Sequence, residues 1–240
     1  MIAIIGTGNV ATHLYKAFKD KEEVCLVNPR TLDNFPSNPD FILICVSDDA
    51  IGEIINKIPV NDGIIAHTSG TVPLDVLKGK HADIGVFYPL QTFTKDVDLN
   101  YSEIPVFIEG NSLKVIEKLK SLARLFSENV RIADSKERGK LHLASVFACN
   151  FTNALAGIAY DILKDTQIEF KDIIPLMKQT VRKLTLLSPD KVQTGPAMRG
   201  DQKTIDKHLR ILSDYPEYKN IYSQLTNLIK YVKTQNTTGK

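Results

Sequence analysis

Gly6-Thr7-Gly8-Asn9-Val10-Ala11 is a G-x-G-x-x-A spacing. It lies between an isoleucine-rich run, Ile2-Ala3-Ile4-Ile5, and a stretch from Val10 to Phe18 whose apolar residues recur at helical intervals. Strand, glycine turn and helix, in that order, suit the binding of a dinucleotide pyrophosphate. Gly6 permits the tight turn, Gly8 lets phosphate approach the backbone, and Ala11 is small enough for the helix to pack on the strand. The free N–H groups and dipole of the helix start then attract phosphate charge. Thr7, Asn9 and Val10 complete this cradle. An ordinary glycine turn in a βα unit has the same pattern.

In an open parallel sheet, ligands bind beyond the carboxyl ends of the strands, so the residues that follow each strand share one edge. The second predicted strand ends at Asn28-Pro29-Arg30-Thr31. An NAD site usually carries Asp or Glu there; here no carboxylate would repel a 2′-phosphate and Arg30 is placed to pair with one. This favours NADP as cofactor, with Asn28, Arg30 and Thr31 around its ribose; a solvated loop arginine is the plainer reading of Arg30. Val46 ends the third strand, and Ser47 and Asp48 follow it as further candidate cofactor contacts. His67 ends the fourth strand and Thr68-Ser69-Gly70 follows. The hydroxyls either bond nicotinamide or substrate, with His67 and Ser69 as candidate cofactor contacts, or build a polar turn in which Ser69 or Thr71 caps the next helix.

Candidate chemistry lies further along the chain. Tyr88, in Tyr88-Pro89-Leu90-Gln91, is either a proton donor or a buried tyrosine with a satisfied hydroxyl. On the long helical pattern that follows, unbroken 3.6-residue spacing places His142, Ser145, Cys149 and Asn153 on one face with Asn150 on its flank. Polar groups inside a helical domain pair with neighbours or face a cleft. Thr194-Gly195-Pro196 leads to Arg199 and Asp201; Arg199 is either a carboxylate anchor for substrate, alongside Gln91, or part of a structural ion pair, and Asp201 suits a helix N-cap.

The elements that must position these groups follow from periodicity. Short β-rich runs at 2–5, 24–27, 41–46, 63–67, 84–87, 106–108 and 130–132 alternate with helical patterns, the clearest at 112–126. Fully apolar runs suit a parallel sheet covered on both faces. Between 31 and 40, Pro36 and Pro39 leave little room for a full crossover helix, and a turn or a single helical turn is expected. After residue 132 the pattern is helical only, starting with the capping box Asp134…Glu137 and running to about 164, then 170–187, 202–212 and 216–233, with a polar tail from 234. The expected architecture is therefore α/β: a doubly wound parallel sheet over 1–133, then an all-helical domain over 134–240 for substrate and dimerisation.

Bulk properties exclude other classes. The 240 residues hold 30 basic and 28 acidic side chains, a net charge of +2, which gives no electrostatic footprint for nucleic acid or a membrane surface. The three cysteines (Cys25, Cys45 and Cys149) form no C-x-x-C pair and read as reduced, buried small hydrophobes. No His/Cys cluster has metal-ligand spacing, so no metal is expected. No signal peptide is visible, and the apolar run 41–46 is too short to span a bilayer, so a soluble, cytoplasmic protein is expected.

The sequence also resembles a bacterial family of NADP oxidoreductases in which a Rossmann-like domain precedes a domain of unknown function numbered 2520. The resemblance rests on residues 4–14, His67-Thr68-Ser69-Gly70, Pro89-Leu90-Gln91-Thr92-Phe93, the stretch from Leu141-His142-Leu143-Ala144 to Asn150, and Thr194-Gly195-Pro196 with Arg199-Gly200-Asp201. The wider group looks like pyrroline-5-carboxylate reductase, ketopantoate reductase and 6-phosphogluconate dehydrogenase. The resemblance implies a helical domain that closes over the nicotinamide in an interdomain cleft, a homodimer formed through the C-terminal helices, and reduction of a small carbonyl or imine substrate. His142, Asn150, Asn153 or Tyr88 would then supply the proton. Some relatives pair NADP with a deazaflavin. Two departures stand out: Tyr88 occupies a position where the family often has His, and Lys140 and Asn150 are ten apart where several relatives use a Lys/Asn pair four apart. The alternative is a non-catalytic NADP-binding sensor or interaction protein.

Overall fold

The structure, a computed structural model, describes residues 1–238. Its chain divides into two compact units, Met1–Phe151 and the residues from Thr152 onward.

The first unit is built on a seven-stranded sheet of order β2-β1-β3-β4-β5-β6-β7. The strands are β1 (Ile2–Ile5), β2 (Val24–Val27), β3 (Phe41–Ile44), β4 (Ile64–His67), β5 (Ile84–Pro89), β6 (Val106–Gly110) and β7 (Val130–Ile132). All neighbouring pairs are parallel except β5 and β6, which run antiparallel with Tyr88 opposite Phe107 and Pro89 opposite Val106. That pairing carries β5 through Tyr88 and Pro89, so Tyr88 is a buried strand residue, not the loop residue expected from the sequence.

Strand alternation explains the double winding. Ile2 and Ile4 of β1 point into one core with Leu14 and Phe18 of α1 (Asn9–Phe18) and Val115, Leu119 and Phe126 of α3 (Leu113–Phe126). Ala3 and Ile5 point into the other, with Ile51, Ile54 and Ile55 of α2 (Asp48–Lys57). Burying both faces requires apolar residues along the central strands, which is why β1 and β3 read as continuous apolar runs. No helix separates β2 from β3, as the two prolines dictate. Leu32 and Asn34 there adopt left-handed backbone, with φ of 54° and 60°.

The helical pattern after the sheet starts at α4 (Ser135–Ser145), capped reciprocally by Asp134 and Glu137. It passes through a π-helical segment, Val146–Asn150, into α5 (Phe151–Leu163). A π-bulge accommodates one extra residue, which turns the downstream faces by roughly 100° relative to an unbroken α-helix. The expected single face holding His142, Cys149 and Asn153 is therefore broken. Cys149 lies in this segment and is exposed, so only Cys45 among the cysteines is buried. The compact units divide after Phe151, so α4, which Arg138 and His142 anchor to the sheet unit, is counted with it. The stretch Ser135–Leu163, 29 residues with mean hydropathy 1.3 in its most apolar window, is long and apolar enough to cross a membrane by length and composition.

The second unit comprises most of α5, then α6 (Ile174–Leu184), the short α7 (Pro189–Val192) and α8 (Pro196–Arg199), α9 (Gln202–Ile211) and α10 (Pro216–Thr238). α10 packs on α7 and α8, and α9 on α8. Asp201 caps α9, its carboxylate accepting from the Thr204 N–H at 3.1 Å and hydroxyl at 2.7 Å. Tyr218 donates to Asp161 at 2.7 Å, and the Tyr222 hydroxyl sits 2.8 Å from His208 Nδ1. α10 continues past the expected stop at Lys233; Gly239 and Lys240 lie outside the described residues.

Candidate active site

The glycine turn forms the floor of a cavity. At Gly6 the backbone has φ of 153°, and a Cβ there would fall 2.2 Å from the Cys45 carbonyl oxygen, so only glycine lets the turn pass this close to the end of β3. At Gly8, the N-cap of α1, the space a Cβ would enter is open. No side chain caps α1 and its first turn holds no acidic residue. The N–H groups of that turn therefore keep their pull on an anion.

This floor belongs to a cavity of about 410 Å³ lined by Thr7, Gly8, Asn9, Val10, Pro29, Arg30, Cys45, Val46, Ser47 and Thr68. It lies where four parallel strands end, so Gly6–Val10 and Val46–Ser47 are brought together as the strand-end argument expects. Asn28 acts one step back. Its Oδ1 accepts the Arg30 N–H at 2.9 Å, fixing the turn that presents the exposed Arg30. Thr31 accepts from the Asp33 N–H at 3.4 Å and is not among the lining residues. Asp48 also stands back; its carboxylate accepts the Thr71 hydroxyl. The Cys45 thiol, driven up to about 12 by burial, stays protonated and offers no nucleophile.

His67 and Ser69 do not line this cavity. His67 is fully buried, with Nδ1 accepting the Ser69 N–H at 3.2 Å and Nε2 without a partner. Burial, reinforced by the Arg138 charge, lowers its pKa to about 4, so the ring is neutral. Ser69 Oγ accepts from the backbone N–H of Thr71 at 3.1 Å and Val72 at 3.0 Å. Both residues shape the turn, and Thr68 between them faces the cavity instead. The strand-end pattern flagged this turn, but which of its residues face outward depends on the β3–β4 register.

Two residues beyond Thr68, the turn meets the candidate proton donors. The Tyr88 hydroxyl of β5 lies 3.2 Å from Nδ1 of His142 on α4. Gly70 closes against both: a Cβ there would sit 2.7 Å from His142 Nδ1 and 2.7 Å from Tyr88 Cζ. Burial raises the Tyr88 pKa, the Arg138 charge opposes that rise and Asp48 adds to it, so the phenol keeps its proton and is able to donate it to the ring. With the phenol as donor, Nδ1 of His142 is the acceptor and Nε2 is the nitrogen left to carry a proton.

The remaining expected residues of the first unit are not drawn into this pair. Gln91 is exposed, and its Oε1 accepts from the Thr92 N–H at 2.8 Å. Asn150 is exposed in the π-helical segment. Asn153 and Arg199 belong to the second unit, where Arg199 is exposed at the end of α8. Sequence reasoning missed Arg138, Glu109 and Ser135. Lys136-Glu137-Arg138 reads as a solvated first turn, yet Arg138 is fully buried.

The family described as domain of unknown function (DUF2520) matches residues 104–229, more than half of the chain. Among solved structures, the "putative NADP oxidoreductase" BF3122 from Bacteroides fragilis is 33% identical, with a TM-score of 0.86 over 96% of this chain and 97% of that one. Protein TM1727 from Thermotoga maritima is 19% identical, with a TM-score of 0.72 over 99% and 100% of the two chains. A reductive aminase from Aspergillus terreus, in complex with NADPH and ethyl levulinate, shares the fold at 13% identity and a TM-score of 0.68, covering 98% and 93%. No curated protein matches the sequence. The profile match and the similarity to the Bacteroides protein lead to one conclusion: the chain belongs to the DUF2520 family.

Proposed function

We propose that this protein is an NADP(H)-dependent oxidoreductase that reduces a small carbonyl or imine compound in the cytoplasm. The observation that carries the reading is the continuity of the 68–70 turn: Thr68 lines the cavity at the strand ends while Gly70 abuts the Tyr88–His142 pair. The bound cofactor would supply hydride to the C=O or C=N carbon. The chain's own residues do the rest. The Gly6–Val10 turn and α1 hold the pyrophosphate, Arg30 pairs with the 2′-phosphate, and Val46 and Ser47 wall the groove. The Tyr88 hydroxyl and the His142 ring hold the proton that completes the reduction. A hydrogen-bonded donor at the reacting heteroatom contributes about 10²–10⁴-fold. The solved relatives that carry NADPH and a keto ester, or are imine reductases, support the substrate class by likeness of fold.

The reading includes a homodimer formed through the C-terminal helices. In the second unit, Leu176, Val181, Leu186 and Tyr231 are 62–72% exposed, against a buried apolar set of Ala197, Ile205 and Leu212 among the described residues. Helices with this much uncovered apolar surface are stable when a second copy closes over them, and two-fold dimers are the commonest closure.

The test has two stages. NADPH and NADH are titrated against the protein by fluorescence, and NADPH oxidation is then followed across a panel of ketones, keto acids and cyclic imines. Tighter NADPH binding and turnover of at least one compound are expected. Binding without any turnover would favour a sensor, and no binding at all would sink the reading. Light scattering at micromolar concentration is expected to return twice the monomer mass; a monomer would remove the dimer.

A further inference from the structure

Arg138 is the largest of the fully buried side chains, in the polar first turns of α4. An arginine removed from water costs several kcal/mol unless its donors are met and its charge is paired. Here they are. Nη1 donates to Glu109 Oε2 on β6, and Nε donates to the Ser69 carbonyl at 3.1 Å. Nη2 reaches the Val72 carbonyl at 2.5 Å and Ser135 Oγ at 3.4 Å. Ser135 in turn donates to both Glu109 oxygens, at 3.0 and 2.8 Å, and accepts the Leu74 N–H at 3.0 Å.

These bonds converge on one segment. Ser69, Val72 and Leu74 are all held from below by the Arg138–Glu109–Ser135 cluster. Between the first two of these anchors lies Gly70, whose backbone leaves no room for a Cβ against Tyr88 and His142. Arg138 and His142 are four residues apart on α4 and so share a face. One helix therefore delivers both the clamp and the ring that the clamped turn presses against. A planar guanidinium suits this work because its fork can hold two carbonyls and a carboxylate at once in fixed geometry.

We propose that Arg138, paired with Glu109, is a positioning residue: it fixes the 69–72 turn so that Gly70 holds the Tyr88 hydroxyl on His142 Nδ1. This deepens the reductase reading and rests on it for its meaning in catalysis. The charge of Arg138 also reaches Tyr88, opposing the effects of burial and Asp48 on the phenol. A buried pair of this kind contributes little stability over an apolar replacement. What an apolar replacement cannot reproduce is the grip on two carbonyls.

The test reads His142 directly and needs no substrate. Protein labelled uniformly with ¹⁵N is examined at neutral pH, the His142 ring signals being assigned from His142→Gln. The wild type should show one fixed tautomer, with Nδ1 as acceptor. The double variant Arg138→Met/Glu109→Gln removes the pair without leaving a lone buried charge. It is expected to keep the amide spectrum of the sheet while the His142 signals move to tautomer-averaged positions. Arg138→Lys keeps the charge without the fork and should show a partial move. If the double variant folds and His142 keeps its wild-type signals, Arg138 is structural only and the proposal fails. If the double variant does not fold, Arg138→Lys decides alone: unchanged His142 signals overturn the proposal and moved signals uphold it. NADPH titration of the wild type tests the reductase reading separately, so the two failures are told apart.

Discussion

The hydroxyl of Tyr88 lies 3.2 Å from Nδ1 of His142, although the two residues are 54 positions apart. β5 supplies one and α4 the other, and the backbone of Gly70 closes the gap beside them. A phenol hydrogen-bonded to an imidazole is a proton-holding pair, and when Nδ1 accepts from the hydroxyl the far nitrogen, Nε2, is a second donor.

If this pair supplies the proton, His142→Ala should lower turnover of an identified substrate by about 10²-fold or more, with NADP(H) affinity unchanged. Tyr88→Phe removes the hydroxyl and keeps the ring. Steady-state kinetics on both variants separates their roles. A large loss in Tyr88→Phe alone makes the tyrosine the donor and His142 its support. Wild-type turnover in both would remove the pair from the chemistry.

Gly70→Ala probes the same contact from the backbone side. Its methyl group would enter space within 2.7 Å of His142 Nδ1 and Tyr88 Cζ. Overpacking of this kind costs about 1–3 kcal/mol. A lowered midpoint in urea unfolding is expected, together with a turnover loss like that of Tyr88→Phe. A variant as stable and active as the wild type would show that the turn yields easily.

Arg30 is exposed beside the cavity, on a turn fixed by Asn28. Arg30→Ala should weaken NADP(H) binding by about 1.5–3 kcal/mol, the range for a hydrogen bond to a charged group. NAD(H) binding should barely change, because it lacks the 2′-phosphate. Calorimetry giving equal losses for both cofactors would assign Arg30 to the shared pyrophosphate or to the fold.

His67 links the fold to pH. Its folded pKa is lowered to about 4, first by burial and then by the Arg138 charge. The unfolded chain therefore takes up a proton on this ring near pH 6.5, well before the folded protein does. Stability should be fully present above about pH 6.5 and decline as pH falls toward 4, by about 3 kcal/mol from this group. His81, also buried and lowered chiefly by burial, acts in the same direction. Urea unfolding at a series of pH values checks this, and His67→Gln should flatten the slope. An unchanged slope in that variant would place the pH dependence elsewhere.

Much of the local structure was legible in the amino-acid sequence. Apolar runs located the seven strands, two prolines removed a helix between β2 and β3, and Asp134 with Glu137 marked the start of α4. Each of these is decided by residues within a few positions of one another, where backbone sterics and capping bonds act. The glycine turn was legible for the same reason, and with it the cavity floor. Tertiary structure alone decided the rest. The antiparallel β5–β6 register made Tyr88 a buried strand residue, and the π-helical segment broke the face that uniform helical spacing assigned to His142 and Asn153. The same holds for Arg138, polar by composition and buried in fact, because its partners Ser69, Val72 and Glu109 lie 29 to 69 residues away in the chain. Periodicity reports which side of an element is apolar. It cannot report which distant carbonyl or carboxylate will compensate a buried charge, since that depends on how strands pair across the whole sheet.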